Sequence, residues 1–298
     1  MTPITEVEGR RLALSNLDKV LYPATGTTKG EVLHYYATVV TEPLLAQLRD
    51  RPVSFLRYPD GPDGQLFFTK NPPPGTPSWV RTTPVPHRED ERARQVVLDD
   101  LASLMWAANL VVEFHTTQWR AGTPKIADRM VFDLDPGAPA TVVECCAVAR
   151  WLRERLAADG LLACPKTSGS KGLHLLVPVE PAPADRVSAY ARSLAVEAEQ
   201  ALPELVVHRM ARALRPGKVF IDFSQNAAAK TTATPYTLRA RPEPTVSAPV
   251  TWEETENCRT PGELVFLAGD MAARMERYGD LLGPLTDPGR AGPLPAVR

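Results

Sequence analysis

Two carboxylates stand two residues apart in Met130-Val131-Phe132-Asp133-Leu134-Asp135-Pro136-Gly137. Apolar residues alternate with them, the pattern of a half-buried strand. Side chains alternate between the faces of a strand, so Asp133 and Asp135 share one face and Phe132 and Leu134 the other. Positions i and i+2 lie ~6.6 Å apart along a strand. Carboxylates on that base can converge on a pair of divalent ions held ~3.5–4 Å apart. Without cations the two repel, and each raises the other's pKa. Hard Mg2+ or Mn2+ is the natural partner of such oxygen donors. The plainer alternative is a solvated strand end with two Asp, although Asp is disfavoured in strands.

A second candidate is Lys166-Thr167-Ser168-Gly169-Ser170-Lys171-Gly172-Leu173-His174, a Gly/Ser/Lys turn opening into an apolar strand. Its backbone N–H groups, two hydroxyls and Lys171 can cradle phosphates. The spacing is not G-x-x-x-x-G-K-[ST], and a strand follows rather than a helix, so an ordinary turn stays open as the alternative. His174 by itself reads as a hydrogen-bonded core histidine. Asp222 lies inside Val219-Phe220-Ile221-Asp222-Phe223. A carboxylate in an apolar strand needs a partner, either a metal shared with the Asp pair or an Arg. Arg209, Arg212, Arg215 and Lys218, joined by Arg239 and Arg241, make a basic cluster. It suits either a solvated face or phosphate recognition. Phe67 and Phe68 precede Lys70. Alternation sends one ring to each face, as stacking platforms for bases or as core residues.

These residues need strands and tight turns to hold them. Strands are predicted at 52–58, 65–70, 110–114, 129–135, 173–179 and 218–223. Helices are predicted at 27–50, 99–109, about 141–158, 185–202 and 270–279. Capping boxes are read at Thr28/Glu31 and Thr141/Glu144, and Asp159-Gly160 stops the helix that the second box opens. The charged stretch HREDERARQ at 87–95 reads as an exposed loop or hairpin tip, and the Gly/Pro-rich residues 283–298 as a frayed tail. Hairpins mixed with βα units give an α+β or mixed α/β class.

The chain has 298 residues, 44% apolar and 23% charged, which argues against global disorder. Its 30 Pro exclude a fold of long helices. With 34 basic and 35 acidic residues it is no histone-like polycation, but a local basic patch stays compatible. The most apolar run, 101–112, is too short for a membrane span. The N-terminus MTPITEVEGRR lacks an apolar leader core. The four Cys form no C-x-x-C, so buried reduced thiols and a cytoplasmic location are expected.

The joint order of D-x-D on a strand, S-G-S-K-G-x-H and a lone strand Asp resembles the archaeo-eukaryotic primase superfamily. The likeness is to the polymerase domain of bacterial ligase D and its stand-alone primase-polymerase relatives. It runs through NLDKVLYP at 16–23, TKGEVLHYY at 28–36, FLRYPDG at 55–61, FFTKN at 67–71, PSWV at 77–80 and EFHTTQ at 113–118. It continues in VFDLDPG at 131–137, TSGSKGLHL at 167–175, FIDFSQN at 220–226 and YTLRARP at 236–242.

The resemblance implies central mixed β-sheets flanked by helices, in one domain over 1–282 that can divide into two closely packed subregions. It implies that Asp133 and Asp135 bind two ions of Mn2+ or Mg2+, and Asp222 one of them. Ser168, Ser170, Lys171 and His174 would line the triphosphate site, with Gln225 and Arg239. His115 and Ser168 would lie near the sugar, where the family favours ribonucleotides. Lys19 and Lys29 would hold the 5′-phosphate of a DNA end. Phe67 and Phe68 would support the template, with Arg57 and Lys70 among the DNA-contacting residues. The 82–97 segment would bridge two DNA ends, and Arg215 would lie in a second such loop. Implied partners are gapped or 5′-phosphorylated DNA, NTP or dNTP, the Ku end-binding protein and a DNA ligase, at the nucleoid and away from any membrane. Ligase D is usually multidomain, and neither a ligase nor a nuclease module is read in these residues.

Two rival classes are weighed. A haloacid-dehalogenase-like phosphohydrolase also uses D-x-D on a strand, but usually with Thr or Val where Gly137 stands. A non-enzymatic end-bridging protein would need basic surface but no acidic triad. Both leave the SGSKG turn and Asp222 unexplained.

Overall fold

The computed structural model describes residues 4–85 and 93–295. The fold is α+β, with two compact units, each drawn from three segments of chain. The first comprises Met1–Thr117, Thr231–Ser247 and Phe266–Asp280; the second comprises Gln118–Lys230, Ala248–Val265 and Leu281–Arg298.

The first unit is built on an antiparallel sheet. Strand Pro52–Arg57 pairs with Val112–Thr116 on one side and with both Phe67–Thr69 and Arg94–Val97 on the other. Thr232–Ala233 and Thr82–Pro84 extend it at either edge. Phe55 and Phe114 stand opposite each other and pack edge-on with Trp106 and Tyr36 as an aromatic core. The helix predicted over 27–50 is interrupted. It runs Lys29–His34, widens over Tyr35–Val39, breaks at Val40 and resumes at Thr41–Leu48. Pro43 explains the break, because it cannot donate to the Val39 carbonyl and its ring would clash there. The expected end-bridging segment is described only in part. Thr82–Pro84 and Arg94–Val97 pair as strands, and 86–92 lie outside the described residues.

The second unit carries a five-stranded sheet ordered Cys164–Thr167, Leu173–Pro183, Ile126–Pro136, Val219–Asp222, Val206–Val207. All neighbours are antiparallel except the last pair, which is parallel. Helices Val142–Ala158 and Ala184–Ala201 pack against the long Ile126–Pro136 strand. Phe132 and Leu134 are fully buried there, and the Cys145 thiol donates to the Leu134 carbonyl at 3.4 Å. The first helix opens with the Thr141/Glu144 capping box. Strand Cys164–Thr167 has no counterpart among the predicted strands, and it contains Pro165. It lies at the sheet edge, where Pro is tolerated.

The expected frayed tail is a correction. Leu282 and Leu285 are buried in one cluster with Val131, Leu176 and Cys164. Gly292 pairs with Val179, and Arg186 Nη2 donates to the Leu294 carbonyl at 2.8 Å. Leu residues spaced along a Gly/Pro-rich segment dock it without regular structure of its own. Leu285→Ala should therefore cost about 2–5 kcal/mol in urea unfolding, whereas a frayed tail would leave stability unchanged. Gly172 has a different constraint, since a Cβ there would lie 2.2 Å from the Leu134 carbonyl oxygen. Gly172→Ala should cost about 1–3 kcal/mol by forcing the two backbones apart; an unchanged melting temperature would contradict that close approach.

Candidate active site

Register gathers the acidic residues. Asp133 lies directly opposite Asp222 on one neighbouring strand and opposite His174 on the other, and His174 lies opposite Lys166. Opposed residues of antiparallel strands share a face, so Lys166, His174, Asp133 and Asp222 form one row across four strands. Asp135 is two residues along on the same face. The three carboxylates are therefore neighbours, although 89 positions separate Asp133 from Asp222 (222 minus 133).

Each carboxylate is held. His174 Nε2 lies 3.2 Å from Asp133 Oδ1. Asp222 accepts from Ser224 N and Oγ at 3.0 and 2.5 Å on one oxygen and from Gln225 Nε2 at 2.8 Å on the other. Lys171 Nζ stands 4.0 Å from Asp135 Oδ1 and donates to the Pro136 carbonyl at 3.1 Å. Burial first, then the Asp133 charge and more weakly that of Asp222, push the Asp135 carboxyl above its usual pKa; Lys171 and Arg215 oppose this. All-oxygen donors whose charges repel suit a hard dication. Among the described residues no three His, Cys, Asp or Glu side chains already enclose a metal position. The trio is an aligned face rather than a closed cage.

The turn at 168–172 is shaped from within. Ser168 Oγ accepts from the backbone N–H of Ser170 and of Gly172, both at 3.1 Å, and Ser168 N–H donates to the Gly172 carbonyl at 2.9 Å. Two of the amides expected to face phosphate are thus directed at Ser168. The Lys171 side chain remains largely exposed, beside Asp135. Arg215 lies against the same end of the strand. Its guanidinium covers the Phe220 ring at 3.7 Å. A Cβ on Gly137 would come 2.1 Å from its carbonyl oxygen. That close approach explains Gly in the D-P-G turn.

The other expected site residues belong to the first unit. Lys19 and Lys29 are neighbours, with Lys29 N–H donating to the Lys19 carbonyl at 2.8 Å. Lys29 is buried at the start of a helix capped by Thr28 and Glu31. Burial, aided by the Lys19 charge, lowers its pKa to about 8. Lys19 Nζ bonds Asp60 Oδ1 and the Pro59 carbonyl, both at 2.7 Å. Phe67 and Phe68 are both exposed on successive strand positions, and Phe68 meets His115 edge-on at 6.1 Å. Arg57 is half-buried opposite Phe67, and Lys70 is exposed.

Sequence reasoning missed Glu113. It lies on the His115 side of strand Val112–Thr116 and is 2% exposed. Arg239 Nε meets its Oε2 at 2.7 Å, His115 Nε2 the same oxygen at 3.2 Å, and Ala240 N–H its Oε1 at 2.8 Å. The signal was available: a carboxylate in an apolar strand, the argument applied to Asp222.

Comparisons with known proteins give the family and the fold. The sequence profile of the family described as LigD, primase-polymerase domain, matches residues 28–282. The multifunctional non-homologous end joining protein LigD of Mycolicibacterium smegmatis is 43% identical over 280 residues, covering 92% of this chain and 36% of that protein. The bifunctional LigD of Bacillus subtilis is 29% identical over 272 residues, covering 90% of this chain and 43% of that protein. The chain thus spans well under half the length of these relatives. The solved polymerase domain of Mycobacterium tuberculosis ligase D, in complex with DNA, superposes with a TM-score of 0.88 at 42% identity, covering 93% of this chain and 98% of that one. The haloacid-dehalogenase and non-enzymatic alternatives are set aside: the chain belongs to the LigD primase-polymerase domain family, metal-dependent nucleotidyltransferases.

Proposed function

We propose that this chain is a template-dependent polymerase that fills gaps or extends ends during DNA break repair, with a preference for ribonucleotides. A primer 3′-hydroxyl attacks the α-phosphate of an incoming nucleoside triphosphate, and pyrophosphate leaves. The observation that carries the reading is the shared sheet face of Asp133, Asp135 and Asp222 beside the Lys171 turn. Two ions of Mn2+ or Mg2+ bound by these carboxylates would lower the pKa of the hydroxyl and neutralise charge on the leaving oxygens.

The chain's own residues orient the reactants. His174 fixes Asp133, while Ser224 and Gln225 fix Asp222. Lys171 and Ser170 receive the triphosphate on a turn that Ser168 holds in shape, with Gln225, His174 and Arg239 completing its contacts. His115 and Ser168 read the sugar. Arg57, Phe67, Phe68, Lys70 and Arg215 contact DNA, and Lys19 and Lys29 hold a 5′-phosphate. The bound DNA of the M. tuberculosis relative supports DNA as a ligand, and gapped or 5′-phosphorylated DNA is the proposed substrate class. Ku and a DNA ligase are the proposed further partners, at the nucleoid in the cytoplasm. Among the described residues no helix is long and apolar enough to cross a membrane.

Labelled gapped DNA with a 5′-phosphate, Mn2+ or Mg2+, and each ribo- and deoxyribonucleotide in turn tests the activity. Asp133→Ala should abolish extension while DNA binding by gel shift stays intact. Extension at the wild-type rate would refute the acidic assignment.

Lys29 gives a pH test. With its pKa lowered to about 8, its ammonium is charged below that pH and loses its proton above it. A bound phosphate favours the charged form. Preference for 5′-phosphorylated over unphosphorylated ends should hold at pH 7. It should then weaken above pH 8, approaching tenfold per pH unit. Lys29→Ala should abolish the preference and flatten the profile in fluorescence-anisotropy titrations. A wild-type preference that persists to pH 9.5 would exclude Lys29 as the phosphate ligand.

A further inference from the structure

Burying a carboxylate inside a sheet is unfavourable unless donors replace its water. Glu113 receives three, from Arg239, His115 and the Ala240 amide. Burial alone would raise its pKa, but the His115 contact, the Arg239 charge and the Ala240 amide reverse that and hold it near 2. The group is therefore an anion throughout the neutral range. A buried pair of this kind adds little net stability over apolar residues of similar volume. What it secures is the placement of the groups around it.

Those groups have fixed main chains already. Leu238 N–H donates to Tyr36 Oη at 2.9 Å, Tyr22 Oη to the Arg239 carbonyl at 3.2 Å, and Phe114 N–H to Thr237 Oγ1 at 3.0 Å. Tyr35 Oη donates to the Tyr236 carbonyl at 2.8 Å. Glu113 engages the two side-chain ends, the Arg239 guanidinium and the His115 imidazole. A carboxylate only accepts hydrogen bonds, so His115 Nε2 must carry the proton that faces it. In the neutral ring Nδ1 then keeps its lone pair as an acceptor. Phe68 packs against the same ring with planes at 84°, limiting its rotation.

We propose that Glu113 is the positioning residue for sugar selection: it holds His115 in the Nε2–H form, so that Nδ1 can accept a hydrogen bond from a ribose 2′-hydroxyl. The inference rests on the assignment of His115 to the sugar made above, and adds to it the residue that sets which ring nitrogen is free to accept.

The test is single-nucleotide incorporation by the full chain, with kcat and KM measured for a ribonucleotide, its 2′-deoxy analogue and its 2′-fluoro analogue, which accepts but cannot donate. Wild type should favour the ribonucleotide over both analogues. Glu113→Gln removes the charge and lets the imidazole reverse its tautomer. It should reduce the ribo-to-deoxy ratio of kcat/KM by roughly tenfold, mainly through KM for the ribonucleotide, with deoxynucleotide kcat little changed. Glu113→Asp should recover part of the ratio. In a His115→Ala background Glu113→Gln should add nothing further to the ratio, because the two act through one contact. A purely structural role would lower all three substrates together and add to His115→Ala, and that result overturns the inference. A ratio altered by His115→Ala but not by Glu113→Gln or Glu113→Asp also overturns it while sparing the nucleotide assignment. A ratio untouched by His115→Ala overturns both.

Discussion

Everything at the acidic site follows from one strand register. Because Asp133 pairs with Asp222 on one side and His174 on the other, a polar row crosses four strands. Slipping either partner by one residue would turn its side chain to the face occupied by Phe132 and Leu134. Several contacts oppose such a slip. Gly137 and Gly172 admit backbones that a Cβ would push away. Asn226 takes over where the Val219–Asp222 strand ends. Its side chain accepts from Val131 N–H at 2.8 Å and donates to the Val131 carbonyl at 2.7 Å, in place of a missing strand partner. Leu282 and Leu285 then cover the apolar residues two positions along on the same face, Val131, Leu176 and Cys164.

The two units treat buried negative charge in opposite ways. In the second, three carboxylates share one face, and burial first, then the neighbouring Asp133 charge, makes Asp135 hold its proton more tightly. That arrangement is poorly matched to the isolated protein and well matched to added dications. In the first, Glu113 is satisfied by Arg239, His115 and Ala240, and its carboxyl ionises readily. One cluster invites a cation from solution. The other already has its cation and therefore suits a fixed orienting role.

The sequence revealed chemistry better than boundaries. Alternation placed Asp133 and Asp135 on one face, and the argument from unpaired buried charge made Asp222 need a partner. Register between distant strands, which joins the three, has no local signature; only the resemblance supplied it. Failures were local conflicts won by tertiary context. The helix from 27 reads as continuous by apolar spacing, yet Pro43 and the β-branched run Val39-Val40-Thr41 break it. The edge strand that contains Pro165 has no counterpart among the predicted strands, and Gly/Pro content hid a docked C-terminal segment. Ser168 is expected at the ligand, and its hydroxyl has a second task that the sequence did not show, organising the turn around itself. Hydroxyls in tight turns serve backbone amides readily, and composition alone does not distinguish that from phosphate binding.

Net charge sharpens the account of DNA recognition. At −1 overall the chain offers no general attraction to a polyanion. Discrimination must come from local groups whose charge is conditional. Lys29 is such a group: burial and a neighbouring ammonium disfavour its charged form, so an incoming phosphate relieves a cost already present. Lys19 is conditional in another way, since its ammonium is bonded to Asp60 and is released only if phosphate competes for it. A mid-strand phosphodiester carries one charge and a 5′-terminal phosphate nearly two. With Lys19 and Lys29 as the proposed ligands, the second charge of a terminal phosphate strengthens the contact where a phosphodiester does not, so recognition of an end can arise without a strongly basic surface.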